Sequence, residues 1–256
     1  MKNEFEIRKI FVDFYLKIKQ GNVASIEKCI NDNIDVLKTN HVKIISIASI
    51  LGKTNNIQIL DAVFNSALKN NLEERKNVIE CLYTACSDGN MNTIEYIMKK
   101  INNMPHKISQ KELNTCYIKS CEQKDFKVIN FFLEKNEFNQ CANINARSGE
   151  GLLVLLRKNN LEFIKKLLLD KEISQHADIF VGNSRIIKSV IEQQDAKTLI
   201  WMIHEFNITK NKDLMIFFRD NPKYQSLEAL FDSNELYKDL NTSLDNCAIN
   251  KKKNKI

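Results

Sequence analysis

Gly151-Leu152-Leu153-Val154-Leu155-Leu156-Arg157-Lys158-Asn159-Asn160-Leu161-Glu162-Phe163-Ile164-Lys165-Lys166-Leu167-Leu168-Leu169 holds two apolar runs parted by a polar reversal. In the second run Leu161, Ile164, Leu167 and Leu168 stand at positions 0, 3, 6 and 7, which is one face of an α-helix. The first run is long enough for a second helix. Asn159-Asn160 between them suits a tight turn, because Asn tolerates the left-handed conformation that ends a helix and can cap the helix that follows.

The pattern repeats along the chain. Aligned on the first apolar residue of the second helix, the anchors are Val23, Ile57, Met91, Phe126, Leu161, Ala196 and Tyr224, at steps of 34, 34, 35, 35, 35 and 28. Three residues on stand Ile26, Leu60, Ile94, Ile129, Ile164, Leu199 and Leu227. Six on stand Cys29, Val63, Ile97, Phe132, Leu167, Met202 and Leu230, and seven on Ile30, Phe64, Met98, Leu133, Leu168, Ile203 and Phe231. Nine before the anchors stand Phe14, Ala48, Leu82, Tyr117, Leu152, Ile187 and Met215. These five apolar columns, anchors included, predict the core. The columns six and five before the anchors are weaker, with Lys17 and Arg219 as misfits in the first and last units. A capping unit is expected to carry a more polar face.

The spacing therefore predicts an all-α fold: about seven stacked helix-turn-helix units forming an α-solenoid over residues 1–240. The units span about 5–38, 39–72, 73–107, 108–142, 143–177, 178–210 and 211–240, and a basic tail follows over 241–256. Such a short helix pair cannot bury its apolar stripe alone, so each unit depends on its neighbours. Six glycines and two prolines in 256 residues leave few turn signals for a β architecture.

No run of about 18 apolar residues marks a membrane span, and the charged N-terminal segment lacks a signal-peptide core. Seven cysteines, odd in number and without a CxxC, read as reduced thiols of an intracellular chain. The net charge of +6 owes much to Lys251-Lys252-Lys253 and Lys255, so a broad nucleic-acid footprint is not expected. That tail admits nuclear entry, but cytoplasmic localisation is the simpler expectation.

Period alone also admits tetratricopeptide repeats. Here, however, the second helix is short and leads into a weakly helical stretch. After Met98, Pro105 ends helical pattern, and Ser109-x-x-Glu112 opens the next helix as a capping box. With its finger-like Ala142-Asn143-Ile144-Asn145-Ala146-Arg147, the chain resembles the ankyrin repeat family. Asn159-Asn160-Leu161-Glu162-Phe163-Ile164-Lys165-Lys166-Leu167-Leu168 is similar to the family's second helix. Leu82-Tyr83-Thr84-Ala85-Cys86-Ser87-Asp88-Gly89-Asn90 is similar to its first, and His176-Ala177-Asp178-Ile179 to its "G-A-D-V". Degenerate arrays like this one are typical of large DNA viruses, intracellular bacteria and AT-rich protists.

No constellation for catalysis stands out. The histidines His41, His106, His176 and His204 are scattered, HExxH is absent, and no phosphate loop or cofactor fingerprint occurs. Neither enzyme activity, cofactor nor metal is expected. The resemblance implies a partner protein bound along the concave side through finger tips and exposed first-helix positions. Carried over, the finger candidates are Asn145, Arg147, Ser148, Glu150, Asp178, Phe180 and Asn183. The first-helix candidates are Tyr83, Ser87, Ile118, Glu122, Arg157, Lys188 and Glu192, with Trp201 as an aromatic anchor on a second helix. Their mixed chemistry suits a protein surface. The expected role is an interaction scaffold or adaptor. A narrower alternative recruits targets to a ubiquitin-ligase-type machine through the shortened unit 212–240.

Overall fold

The structure, a computed structural model, describes residues 4–38, 41–66, 72, 74–123, 125–135, 140–193, 195–206, 208 and 211–220. Among these residues every regular element is a helix. In chain order they are α1 (Glu4–Gln20), α2 (Val23–Asp32), the short α3 (Ile34–Lys38), α4 (His41–Gly52), α5 (Ile57–Phe64), α6 (Arg75–Asp88) and α7 (Met91–Asn102). There follow α8 (Gln110–Ser120), α9 (Phe126–Leu133), α10 (Ala146–Arg157), α11 (Leu161–Leu169), α12 (Val181–Glu192), α13 (Ala196–Phe206) and α14 (Lys212–Asp220).

Six of the seven anchors are the first residue of a helix: Val23, Ile57, Met91, Phe126, Leu161 and Ala196 open α2, α5, α7, α9, α11 and α13. The seventh, Tyr224, lies outside the described residues, as do its companions Leu227, Leu230 and Phe231. The residue before each of the six anchors is Asn or Asp. At Asn22, Asn56, Asp125, Asn160 and Asp195 the side chain accepts a hydrogen bond from a backbone N–H of the helix it precedes. Each cap satisfies a donor that the helix cannot. Asn90 departs from this use: its amide donates instead to the carbonyl of Gly52 at 2.9 Å. The reversals are left-handed at Gly21, Gly89 and Asn159, where only Gly or Asn sits cheaply.

Burial follows the columns with one correction. Every described member three, six and seven residues after an anchor is buried, as are Phe14, Ala48, Leu82, Tyr117, Leu152 and Ile187 nine before. The anchor column is not core: Ile57 is 46% exposed, and Val23, Met91, Phe126 and Leu161 are only half-buried. A first helical residue on the shoulder of the apolar face has no preceding turn to cover it. The buried arc is rotated toward the position two after the anchor, where Ile59, Thr93, Val128 and Thr198 are buried. Thr93 reaches a partner there, donating its hydroxyl to the carbonyl of Thr54.

Within the first unit, α4, α6, α8 and α10 meet through residues near the columns five before one anchor and ten before the next. Gly52 of α4 lies against α6, where a Cβ would stand 2.5 Å from the carbonyl oxygen of Cys81. Cys86 of α6 hydrogen-bonds Cys116 of α8. Gly151 leaves room for the ring of Tyr117, whose buried hydroxyl lies beside the Cys121 thiol. Ser49 and Thr84 join α4 to α6 at 3.3 Å.

The stretch after α7 behaves as its sequence dictates. The helix ends at Asn102, no helix spans 103–109, and α8 opens on the capping box. Ser109 Oγ accepts from the Glu112 N–H, and the Glu112 carboxylate accepts from the Ser109 N–H at 2.8 Å. Arg75 joins the same carboxylate at 2.6 Å. Burial opposes ionisation of Glu112, but the Ser109 hydrogen bonds and the Arg75 guanidinium outweigh it and hold the carboxyl below its ordinary 4.5. This stabilisation is complete above the ordinary value and is lost as pH falls through the lowered folded value. Glu112→Gln, which keeps the cap but not the charge, is expected to cost about 1 kcal/mol at neutral pH. Its deficit relative to the native chain should shrink as urea melts are taken into acid. A deficit that stays constant with pH would contradict the assignment.

The chain divides into two compact units. One comprises Met1–Ala146 with Glu150–Ala177, and the other Arg147–Gly149 with Asp178–Ile256. Within the second, α12 packs with α13 and with α14. Ile187, Val190, Ile191, Leu199, Met202 and Ile203 form its core.

Candidate partner-binding site

The loops that follow α9 and α11 share two hydrogen bonds and a left-handed turn, 35 residues apart. Ala142 N–H donates to Phe132 C=O at 2.6 Å, and Ala177 N–H to Leu167 C=O at 2.9 Å. Asn143 then accepts from the N–H of Asn145, and Asp178 from that of Phe180, each carboxamide or carboxylate closing a turn over two residues. Three left-handed residues follow in each case: Arg147, Ser148 and Gly149, then Gly182, Asn183 and Ser184. For the non-glycine members this conformation costs roughly 1–2 kcal/mol apiece. Neighbouring packing therefore has to hold it. The amide of Gln175 ties the first loop down, donating to Leu133 C=O at 2.7 Å and Ala142 C=O at 2.8 Å while accepting from Ile144 N–H at 3.3 Å.

Among the finger candidates, Arg147, Ser148, Asp178 and Asn183 are exposed, while Asn145, Glu150 and Phe180 are half-buried. Arg147 and Ser148 stand at the start of the left-handed turn, so their side chains are fixed by a strained backbone rather than carried on a slack loop.

The first-helix candidates divide. Arg157 and Glu192 are exposed, and Tyr83, Ser87 and Glu122 are half-buried. Glu122 accepts a hydrogen bond from Lys119 at 3.0 Å, and the Ser87 carbonyl accepts from the Gln123 amide. Ile118 corrects the expectation: only 5% of it is exposed, and Leu153 in the same column is buried as well. In that column the polar and tyrosine members, Tyr15, Ser49, Tyr83 and Lys188, are half-buried, and the aliphatic ones, Ile118 and Leu153, are buried. Lys188 is committed within its own unit, its ammonium 5.5 Å from the centre of the Phe217 ring. Trp201 is half-buried and meets Phe206 edge-on at 5.7 Å.

A surface that the sequence reading passed over lies at the same columns of the first two pairs. Tyr15 and Lys19 stand eight and four before Val23, and Lys53 stands four before Ile57. With Ile18, Ile50, Thr54, Asn55 and Asp88 they line an open groove of about 400 Å³ in the first unit. Its lining is mixed: Tyr15, Ile18 and Ile50 stand with charged residues of both signs, Lys19, Lys53 and Asp88. Lys19 lies over the Tyr15 ring at 5.1 Å. The signal was present, since the columns that nominate Tyr83 and Ser87 also nominate these residues.

Four buried thiols are unsuited to nucleophilic work. Burial, then the nearby Asp13 carboxylate, pushes the Cys29 thiol up to about 11. Burial pushes Cys81 and Cys121 higher, and Cys86 is raised by burial and by its hydrogen bond with Cys116. A thiol so shifted is protonated and inert at neutral pH. His106, His176 and His204 are exposed and far apart in sequence. Among the described residues no group of three His, Cys, Asp or Glu is placed to hold a metal ion, and no helix is long and apolar enough to cross a membrane. The unit 212–240 is described only as far as α14, so the docking element expected there lies mostly outside the described residues. Compared with known proteins, the chain matches no family model, no curated protein and no solved structure.

Proposed function

We propose that the chain is an ankyrin-like helical-repeat adaptor that binds another protein along its inner-helix columns. The observation that carries this reading is the groove lined by Tyr15, Ile18 and Ile50 together with Lys19, Lys53 and Asp88. It lies between short repeated helices, and its lining combines an aromatic ring and aliphatic side chains with charges of both signs, which suits a protein-binding patch. The fold reading is supported by the 35-residue recurrence of the loop hydrogen bonds and left-handed turns. It is also supported by second helices of 8–12 residues, where tetratricopeptide helices would be longer, and by the non-helical stretches 103–109 and 170–180 that follow two of them. The adaptor acts in the cytoplasm and performs no chemistry of its own.

The test compares proteins retained by the tagged full chain and by a Tyr15→Ala, Lys53→Glu, Arg157→Ala variant, using quantitative mass spectrometry. A partner enriched on the native chain should fall about tenfold or more on the variant, given that a single anchor residue often contributes 2 kcal/mol or more. The variant's circular dichroism and melting should match the native chain, because all three side chains are partly or fully exposed. Equal retention of every partner by a folded variant would overturn the reading.

A further inference from the structure

Three exposed apolar side chains stand together away from the groove. Phe5 is 77% exposed, Val12 58% and Leu16 49%, and all three belong to α1. Spaced seven and four residues apart, they form one stripe along the helix. The opposite face is the packed one, with Phe14 and Ile18 buried. An apolar stripe of about three turns at such exposure is a feature that soluble proteins ordinarily cover.

The charges beside the stripe indicate what covers it. Glu6, Lys9, Asp13 and Lys17 follow one another along a single flank at three- and four-residue steps, with alternating sign. Set against its own reverse, this flank is self-complementary. When residue i of one helix faces residue 22 − i or 23 − i of an identical antiparallel helix, Lys9 meets Asp13 and Glu6 meets Lys17. On the other flank Glu4 meets Lys19 in the same register. A two-fold axis perpendicular to two antiparallel helices brings like flank to like flank, which is the arrangement these pairs require. The same register sets Phe5 near Leu16 and places Val12 beside the axis. Antiparallel pairing also opposes the two helix dipoles. The ion pairs made within α1 lie at the surface, Arg8 with Glu4 at 3.2 Å largely exposed and Lys17 with Asp13 at 2.6 Å partly so, with Asp13 also accepting from the Cys29 thiol at 3.6 Å; a facing helix can share them.

We infer that α1 is a homodimerisation helix: a second copy of this chain covers the Phe5–Val12–Leu16 stripe by antiparallel α1–α1 packing, with register set by the Glu6–Lys17 and Lys9–Asp13 pairs. The inference rests on α1 alone and does not depend on the partner-binding reading.

Sedimentation of the full chain across a concentration series tests it. The weight-average mass should rise from 29.8 kDa toward twice that value, and less steeply in high salt. Val12→Asp with Leu16→Asp should leave a monomer at every concentration, with the native circular dichroism and melting curve, because both side chains already face solvent. Charge exchange gives a second readout. Lys9→Glu sets like charges opposite each other twice per dimer and should weaken association by about tenfold or more. Adding Asp13→Lys to that variant should restore it, since the two exchanged positions again carry opposite signs. A native chain that stays at 29.8 kDa in the high micromolar range overturns the proposal. So does a dimer that survives Val12→Asp with Leu16→Asp, or a Lys9→Glu defect that Asp13→Lys does not repair.

Discussion

Replacing Ile164 by aspartate is expected to unfold the first unit at room temperature. Ile164 stands three after its anchor, on α11, and is 1% exposed. Its column is the most regular in the molecule, with Ile26, Leu60, Ile94, Ile129 and Leu199 all buried alongside it. The substitution removes about 2–3 kcal/mol of apolar burial and places a carboxylate at a position sealed from water. Either the charge is buried unpaired or the aspartate takes up a proton; each path adds several kcal/mol. A total above about 4–5 kcal/mol is comparable with the whole stability of a domain. Urea melts followed by circular dichroism should show loss of the native baseline at neutral pH. Ile164→Val, which deletes one methylene, should cost only about 0.5–1.5 kcal/mol. A well-folded Ile164→Asp chain with near-native melting would mean that the column faces solvent, and the packing described above would be wrong.

The contrast between Ile164 and Leu161 marks where sequence periodicity stops being informative. Both are apolar and both belong to the columns that define the repeat, yet Leu161 is half-buried and Ile164 is sealed. Alignment on a recurring apolar residue finds the six described helix starts correctly, because the residue before each is Asn or Asp and in five of them its side chain caps the helix. It does not find the centre of the buried arc. That centre is shifted toward a column written partly in threonine, Thr93 and Thr198, which no hydrophobicity count selects although each hydroxyl is hydrogen-bonded. The finger loops carried a different kind of signal. Asn143 and Asp178 are readable as turn formers, whereas three consecutive left-handed residues are not. The glycine is third in one turn, Gly149, and first in the other, Gly182, so no column of glycine marks the conformation. The candidate surface suffered from the same local freedom. Tyr83 and Ile118 occupy equivalent positions, yet Tyr83 is half-buried and Ile118 is buried.

Gly52→Val should be nearly as damaging as the charge at Ile164, for a reason that helix propensity alone would get backwards. Gly52 is the last residue of α4, and its backbone is not in the left-handed region. In an exposed helix, replacing glycine by alanine gains up to about 1 kcal/mol. Here a Cβ would stand 2.5 Å from the Cys81 carbonyl oxygen, 2.7 Å from Thr84 Cβ and 3.0 Å from the Ala85 nitrogen. Two of those atoms are backbone within α6, so they cannot rotate away; α4 and α6 must separate. Separation also breaks the Ser49–Thr84 and Asn90–Gly52 hydrogen bonds that join the pair to its neighbour. Overpacking of this kind costs about 1–3 kcal/mol for one methyl-sized intrusion and more for a branched side chain. The steric term therefore exceeds the propensity gain: Gly52→Ala is expected to lose about 1–2 kcal/mol net and Gly52→Val about 3 or more. Gly21 supplies the control. It is left-handed at φ +74 with nothing within 4 Å of its would-be Cβ, so Gly21→Ala meets backbone strain alone and should cost about 1 kcal/mol. The order of urea midpoints, Gly21→Ala near native and Gly52→Val lowest, follows only if α4 and α6 touch through their backbones. A Gly52→Ala chain more stable than the native one would show that they do not.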